Sequence, residues 1–337
     1  MSKAVPRSPQ EHARARRLAV PSPIGGAPTS RAPVTARRHD DASVPTSMRG
    51  VQRVSIAGAA RAAYFEDVAP LVAEPTFAVG VSHCPWLPDR VANMALVRPL
   101  LARPGTSYTE VTDRAKNWVW SRKLWGWGAA QLGASHVVFL QDDLRFSPAF
   151  WAVLEAMVRA RPNRVISLVS NHPMSERALV AGHPFFTMCE CLGTGYVFPS
   201  ALLHVFLDWR DRMPVSELAI TNEDFQITRW LFETGRKVWC PIPTVLQTQD
   251  DAITSTTPVD GAYAYRRSYV DWEDPRVAGV PITSVDYWRG RPGRTPPDFG
   301  TTVERDYRVP GPQTFSDSLV QAAHRRISAW LPPGVSP

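Results

Sequence analysis

From residue 76 onwards, hydrophobic positions fall into short runs that alternate between strand and helix character. Thr76 to Val81 is a continuous apolar run that reads as a buried strand, closed by Ser82 and His83 and followed by the breakers Pro85 and Pro88. The next segment predicts a helix over about Asp89 to Arg98, with Val91, Met94, Ala95 and Val97 as its apolar positions and Pro99 ending it. Ser107 to Val111 alternates as a second strand and closes on Thr112 and Asp113. Asn117 to Leu132 reads as a helix carrying Trp118, Trp120, Trp125 and Trp127, whose indoles are expected in the core rather than stacked on a ligand. His136 to Leu140 is a third strand, and it stops abruptly at Gln141, Asp142 and Asp143. A helix from Pro148 to Ala160, capped by Ser147, and a strand from Arg164 to Val169 complete this half.

Such a succession predicts a doubly wound α/β sheet flanked by helices. The second half is less regular. Cys191 to Phe198 reads as a strand in which Gly193 and Gly195 allow a close approach of the backbone to something else. Pro199 to Trp209 predicts a helix, and Thr221-Asn222-Glu223-Asp224 introduces another that runs to Glu233 and ends at Gly235. Lys237 to Trp239 is extended again. Past Asp251 the periodicity is weak until Ser316 to Leu331, where Leu319, Val320, Ala323, Ile327 and Trp330 share one side of an amphipathic helix expected to dock on the domain.

Charge changes the picture at the N-terminus. The first 53 residues hold ten Lys and Arg against three Asp and Glu, which leaves 28 of each sign in the remainder and confines the whole net charge of +7 to this stretch. Residues 1–53 are also rich in Pro, Ser and Ala and poor in large apolar side chains, so they predict a disordered basic arm: a solubilising extension, a tether for nucleic acid or an organelle transit peptide. Residues 54–250 form the expected catalytic domain and 251–337 an irregular extension. With 44% hydrophobic residues the chain can build a substantial core, which excludes disorder throughout. No apolar run approaches the ~20 residues a membrane span needs. Cys84, Cys189, Cys191 and Cys240 lack the spacing of a zinc site. Together with the lack of a secretory apolar region, this predicts a reduced, cytoplasmic protein.

The candidate chemistry lies at the acid-tipped strand. Open α/β sheets bind ligands beyond the carboxyl ends of their strands. Two carboxylates there form part of a hard-oxygen shell for Mg²⁺ or Mn²⁺, with a nucleotide diphosphate completing it. Helix capping is the alternative role for Asp142 and Asp143, but Ser147 and Pro148 fill that role better.

Taken together, four features between Phe77 and Gln249 resemble GT-A-type glycosyltransferases: the first strand with its loop, the strand ending in QDD, the Gly193/Gly195 segment, and TNEDFQITRWLFETGRKVWCPIPTVLQ. The resemblance implies a GT-A-like doubly wound mixed sheet and transfer of a sugar from a nucleotide-diphosphate donor to a hydroxyl acceptor, dependent on Mn²⁺ or Mg²⁺. It implies Asp143 as direct metal ligand and Asp142 as partner for ribose or metal, although Gln141 stands at the first position of the motif. It implies Asp224, with Glu223 as rival, as the general base of an inverting reaction. Ser82, His83, Asp113, Gly193 and Gly195 would border the nucleotide sugar. Thr248 stands where the family often carries a metal-binding His, and His172 is a further candidate near the sheet edge. Gln226-Ile227-Thr228-Arg229-Trp230 spells a motif of processive polymer synthases, but it overlaps the helix of the acid motif and reads as coincidence.

Two other function classes compete. Nucleotidyl transfer would use the same acids, yet VSHCPWLPDR is not the Gly-rich basic loop that chemistry favours. A non-catalytic binding protein with its basic arm on nucleic acid would have no need of Asp142, Asp143 and Asp224 together. The acceptor, whether glycan, protein or nucleic acid, is left open.

Overall fold

The computed structural model describes residues 74–112, 117–189, 194–218, 222–249 and 268–287, together with 321–322, 325–326 and 328–336. The expected arm, Asp113, Gly193 and most of the late amphipathic helix lie outside the described residues.

In chain order the elements begin with β1 (Phe77–Ser82), α1 (Pro88–Leu101), β2 (Ser107–Val111), α2 (Asn117–Ala129) and β3 (His136–Gln141). They continue through β4 (Leu144–Phe146), α3 (Phe150–Ala160), β5 (Ile166–Ser167), α4 (Met174–Ala181), β6 (Phe185–Met188) and β7 (Gly195–Pro199). Then come α5 (Ser200–Arg210), α6 (Val215–Leu218), α7 (Glu223–Glu233), β8 (Val238–Pro241) and β9 (Leu246–Thr248). Seven strands form one mixed sheet in the order β2-β1-β3-β7-β5-β8-β6, and β4 pairs with β9 in a separate two-stranded sheet. The β2-β1-β3 trio is parallel, β7 runs against both β3 and β5, β5 is parallel to β8, and β6 is antiparallel to β8.

The sheet is covered on both faces, which is why β1 and β3 read as unbroken apolar runs. Phe77 of β1 packs on Trp151 of α3 with ring centroids 5.6 Å apart. Gly80, an odd number of residues further along the strand, faces the other side, where a Cβ would meet Leu124 of α2 at 2.7 Å. Gly128 of α2 closes the same approach, since a Cβ there would lie 2.8 Å from both Val137 and Phe139 of β3. Beyond α2, the helices α5 and α7 extend this layer through an aromatic cluster. Trp125 meets Phe206 edge-on at 4.9 Å, Phe206 meets Trp230 at 5.4 Å, and the Trp125 indole donates to the Tyr196 hydroxyl at 2.7 Å. Trp120 and Trp127 also pack against the core, as their spacing predicts.

Several local expectations are corrected. Pro99 does not end α1 but sits inside its last turn; the helix continues to Leu101, which is buried, and the Leu100 carbonyl accepts from the Trp151 indole at 2.8 Å. The inward face of α1 is not the apolar set: Arg90, Asn93, Met94 and Leu101 are buried, whereas Val91 and Ala95 are exposed. Ala149, not Ser147, occupies the N-cap of α3, and the Ser147 hydroxyl accepts from the Ala149 amide at 3.2 Å in the turn before it. The strand at Arg164 to Val169 shortens to two residues, and β4, α4 and β6 are elements the hydrophobic pattern does not announce. In the C-terminal third, residues 268–287 contribute Val270, Val277, Val280, Val285 and Tyr287 to the core, with Tyr287 edge-on to Trp239 at 5.7 Å.

The amino end of β3 contributes to stability in a pH-dependent way. His136 is buried there, with Nε2 2.9 Å from the Pro162 carbonyl and Nδ1 2.9 Å from the Ser135 hydroxyl, and burial holds its pKa below the ordinary 6.5. The unfolded chain therefore binds a proton that the folded chain resists, so this stability is complete above the ordinary value and is lost as pH falls through the window below it. Between about pH 7 and pH 5, the melting temperature of the wild type should fall more steeply than that of His136→Gln; parallel profiles would refute the assignment.

Candidate active site

The chain passes from β1 to β2 on one side and from β2 back across to β3 on the other, so the carboxyl ends of β1 and β3 flank a topological switch point. Ser82 is in register with Gln141. Three backbone bonds seal this edge: Asp142 N donates to Ser82 O at 3.1 Å, His83 N to Val111 O at 3.0 Å, and Gln141 N to Thr194 O at 3.0 Å.

Both acids of the strand tip point into protein. Asp142 is 4% exposed and Asp143 1%. Asp142 Oδ2 accepts from His83 Nδ1 at 2.9 Å and from the Cys84 amide at 2.6 Å, while its Oδ1 accepts from Arg90 Nη1 at 3.1 Å. The same Nη1 lies 3.0 Å from Asp143 Oδ2. One nitrogen thus bridges two adjacent carboxylates that would otherwise repel each other in a low-dielectric setting. Three residues further along α1, on the same helix face, Asn93 Nδ2 donates to the carbonyls of Asp142 at 2.8 Å and Leu144 at 3.0 Å.

A third acid reaches the tip from α7. Glu223, the first residue of that helix, is 4% exposed, and its Oε1 accepts from Gln141 Nε2 at 2.9 Å. Asp224 is half-buried and turns back on its own helix, its Oδ1 accepting from the Phe225 amide at 2.9 Å. The positive end of the helix dipole favours both charges, and Glu223 engages the strand tip through Gln141.

Around the acids lie two buried hydroxyls. Thr194 follows the segment that precedes β7, and Thr248 ends β9 opposite Leu144, next to Gln249, whose amide donates to the Asp143 carbonyl at 2.8 Å. Among the described residues, neither Thr194 Oγ1 nor Thr248 Oγ1 has a hydrogen-bond partner. Buried hydroxyls are ordinarily satisfied, so this edge holds hydrogen-bonding capacity beyond what the protein uses.

Of the residues singled out in the sequence, Ser82, His83, Asp142, Asp143, Gln141 and Glu223 meet at one edge, with Thr248 beside them. Gly195 has a packing role: a Cβ there would stand 2.9 Å from the Leu246 side chain. His172 lies on the loop after β5, its Nδ1 accepting from the Met174 amide at 3.2 Å. Gln226 accepts from Arg210 at 3.2 Å, Trp230 is core and Arg229 pairs with Glu217 and Glu233, so the synthase-like letters are structural here. The Cys189 thiol donates to the Arg236 carbonyl at 3.7 Å. Arg90 and Asn93 were not legible as site residues because, in a helix read by its apolar spacing, both belong to the polar side.

A divalent ion needs carboxylate oxygens it can share. Asp142 commits both of its oxygens to protein donors, and Asp143 shares the Arg90 guanidinium. Among the described residues no group of three or more His, Cys, Asp and Glu side chains is placed to hold a metal ion. The donor set at this tip does not fit the metal that the resemblance implies.

No described helix is long and apolar enough to cross a membrane. No protein-family model matches the chain, and no curated protein matches it.

Proposed function

We propose that the chain transfers a glycosyl group from a nucleotide-diphosphate sugar to a hydroxyl acceptor, in the crevice beyond the carboxyl ends of β1 and β3. The observation that carries this reading is the 2.9 Å hydrogen bond from Gln141 to Glu223. It joins the acid-tipped strand to the acid-led helix 82 residues away, two of the four features that carry the resemblance to GT-A-type glycosyltransferases. A mixed sheet with its switch point at this edge, and the buried hydroxyls of Thr194 and Thr248 beside it, support a site for a polar ligand.

In this reading Glu223 is the general base. Its carboxylate takes the proton of the acceptor hydroxyl as that oxygen forms a bond to the anomeric carbon. The bond from that carbon to the donor phosphate oxygen breaks, and the electron pair leaves with the nucleotide diphosphate. Attack from the face opposite the leaving group inverts the configuration. The Gln141 amide, a neutral donor, holds the Glu223 carboxylate at the strand tip without the repulsion that a third acid in the motif would bring. His83, Asp142 and Arg90 keep the ends of β1 and β3 in fixed relation.

A panel of uridine, guanosine and thymidine diphosphosugars, titrated against the full chain by calorimetry and followed for sugar release, tests the reading. One member should bind with a Kd on the order of 1 mM or tighter and be turned over when a hydroxyl acceptor is supplied. Failure of every member to bind would overturn it.

A further inference from the structure

Arg90 stands where a metal-dependent strand tip would place its cation. Its Nη1 lies 3.1 Å from Asp142 Oδ1 and 3.0 Å from Asp143 Oδ2, and the residue is 4% exposed. The two carboxylates thus share one guanidinium as the cation between them. The rest of the tip is arranged around that occupancy. His83 Nδ1 and the Cys84 amide engage the other oxygen of Asp142, and Asn93 Nδ2 ties the Asp142 and Leu144 carbonyls to the same face of α1. A divalent ion bridging the two acids as Arg90 does would have to displace the guanidinium from Asp142 Oδ1 and Asp143 Oδ2 and leave it among buried groups.

We propose that Arg90 is the built-in cation of this tip, and that the crevice takes its nucleotide-diphosphate ligand without recruiting a divalent metal to Asp142 and Asp143. The part that concerns the ligand rests on the transferase reading; the part that concerns the metal stands on the geometry of the acid pair alone.

Two measurements on the full chain, freed of metal by chelation, decide the matter. In the first, free Mn²⁺ is followed by electron paramagnetic resonance as it is titrated into wild type and into Asp143→Asn. The two titrations should coincide up to roughly 1 mM, because the acid pair offers no site for the ion to lose. A site filled in the wild type below about 0.1 mM and lost in Asp143→Asn would overturn the proposal. In the second, the affinity of the best sugar nucleotide is compared in excess chelator and in Mn²⁺. The two values should agree within about twofold, and a weakening of about tenfold or more in chelator would overturn the proposal. If no sugar nucleotide binds in either condition, the transferase reading fails, and the Mn²⁺ titration still decides whether Arg90 replaces the metal.

Discussion

Arg90→Ala should destabilise the protein by about 3–5 kcal/mol, the cost of leaving a buried charge without its partner. In a domain of this size that corresponds to a fall in Tm on the order of 10 °C. The reason is the geometry of the tip. Asp142 and Asp143 are adjacent in sequence, both nearly inaccessible, and both within 3.1 Å of the same guanidinium nitrogen. Without it their charges face each other, and water cannot screen them as it would at the surface. His83 and the Cys84 amide relieve only Asp142 Oδ2. The loss should therefore depend on the second acid: in an Arg90→Ala background, Asp143→Asn should recover part of the stability that Arg90→Ala removes, so the double variant is less destabilised than the sum of the two singles. Chemical denaturation of the four proteins gives the coupling. Additive losses, or a loss under about 1 kcal/mol for Arg90→Ala, would mean that the bridge contributes little.

That bridge also shows where pattern reading succeeds and where it stops. β1 and β3 are legible because a strand covered on both faces has to be apolar along its whole length, and the break at Gln141 is legible because charge cannot continue into that core. α1 is legible as a helix but not in its orientation. The rule that apolar positions face inward chooses Val91, whereas the ground that α1 packs on is a pair of carboxylates, and Arg90 and Asn93 are what such ground favours. The pairing that turns the helix lies more than 50 positions away in sequence, beyond the reach of any local window. β4 is hidden for a related reason: its three residues become a strand only because β9 runs alongside, with Leu144 opposite Thr248 and Phe146 opposite Leu246. Gly195 signals a close approach correctly and leaves its partner unspecified, which is the Leu246 side chain. The two acids of α7 are equivalent in one dimension; only the placement of Gln141 distinguishes them.

That distinction yields the largest expected effect on activity. If Glu223 is the base, Glu223→Gln should lower kcat by about 10²–10⁴-fold, the range that a positioned general base supplies. Asp224→Asn should stay within about threefold of wild type, because Asp224 accepts from the amide of its own helix at Phe225 whereas Glu223 is held at the strand tip by Gln141. Glutamine is chosen because its amide oxygen still accepts from Gln141 Nε2, so the contact between α7 and β3 survives while the ability to take a proton is lost. Affinity for the donor should therefore be unchanged in Glu223→Gln, and the whole loss should fall in kcat. Sugar transfer measured at saturating donor, with donor binding measured separately by calorimetry, separates the two. An inactive Asp224→Asn beside an active Glu223→Gln would move the base one residue along the helix, to the acid that motif resemblance alone would choose. Equal activity in both variants would remove α7 from the chemistry and leave the Gln141 to Glu223 bond as a packing contact.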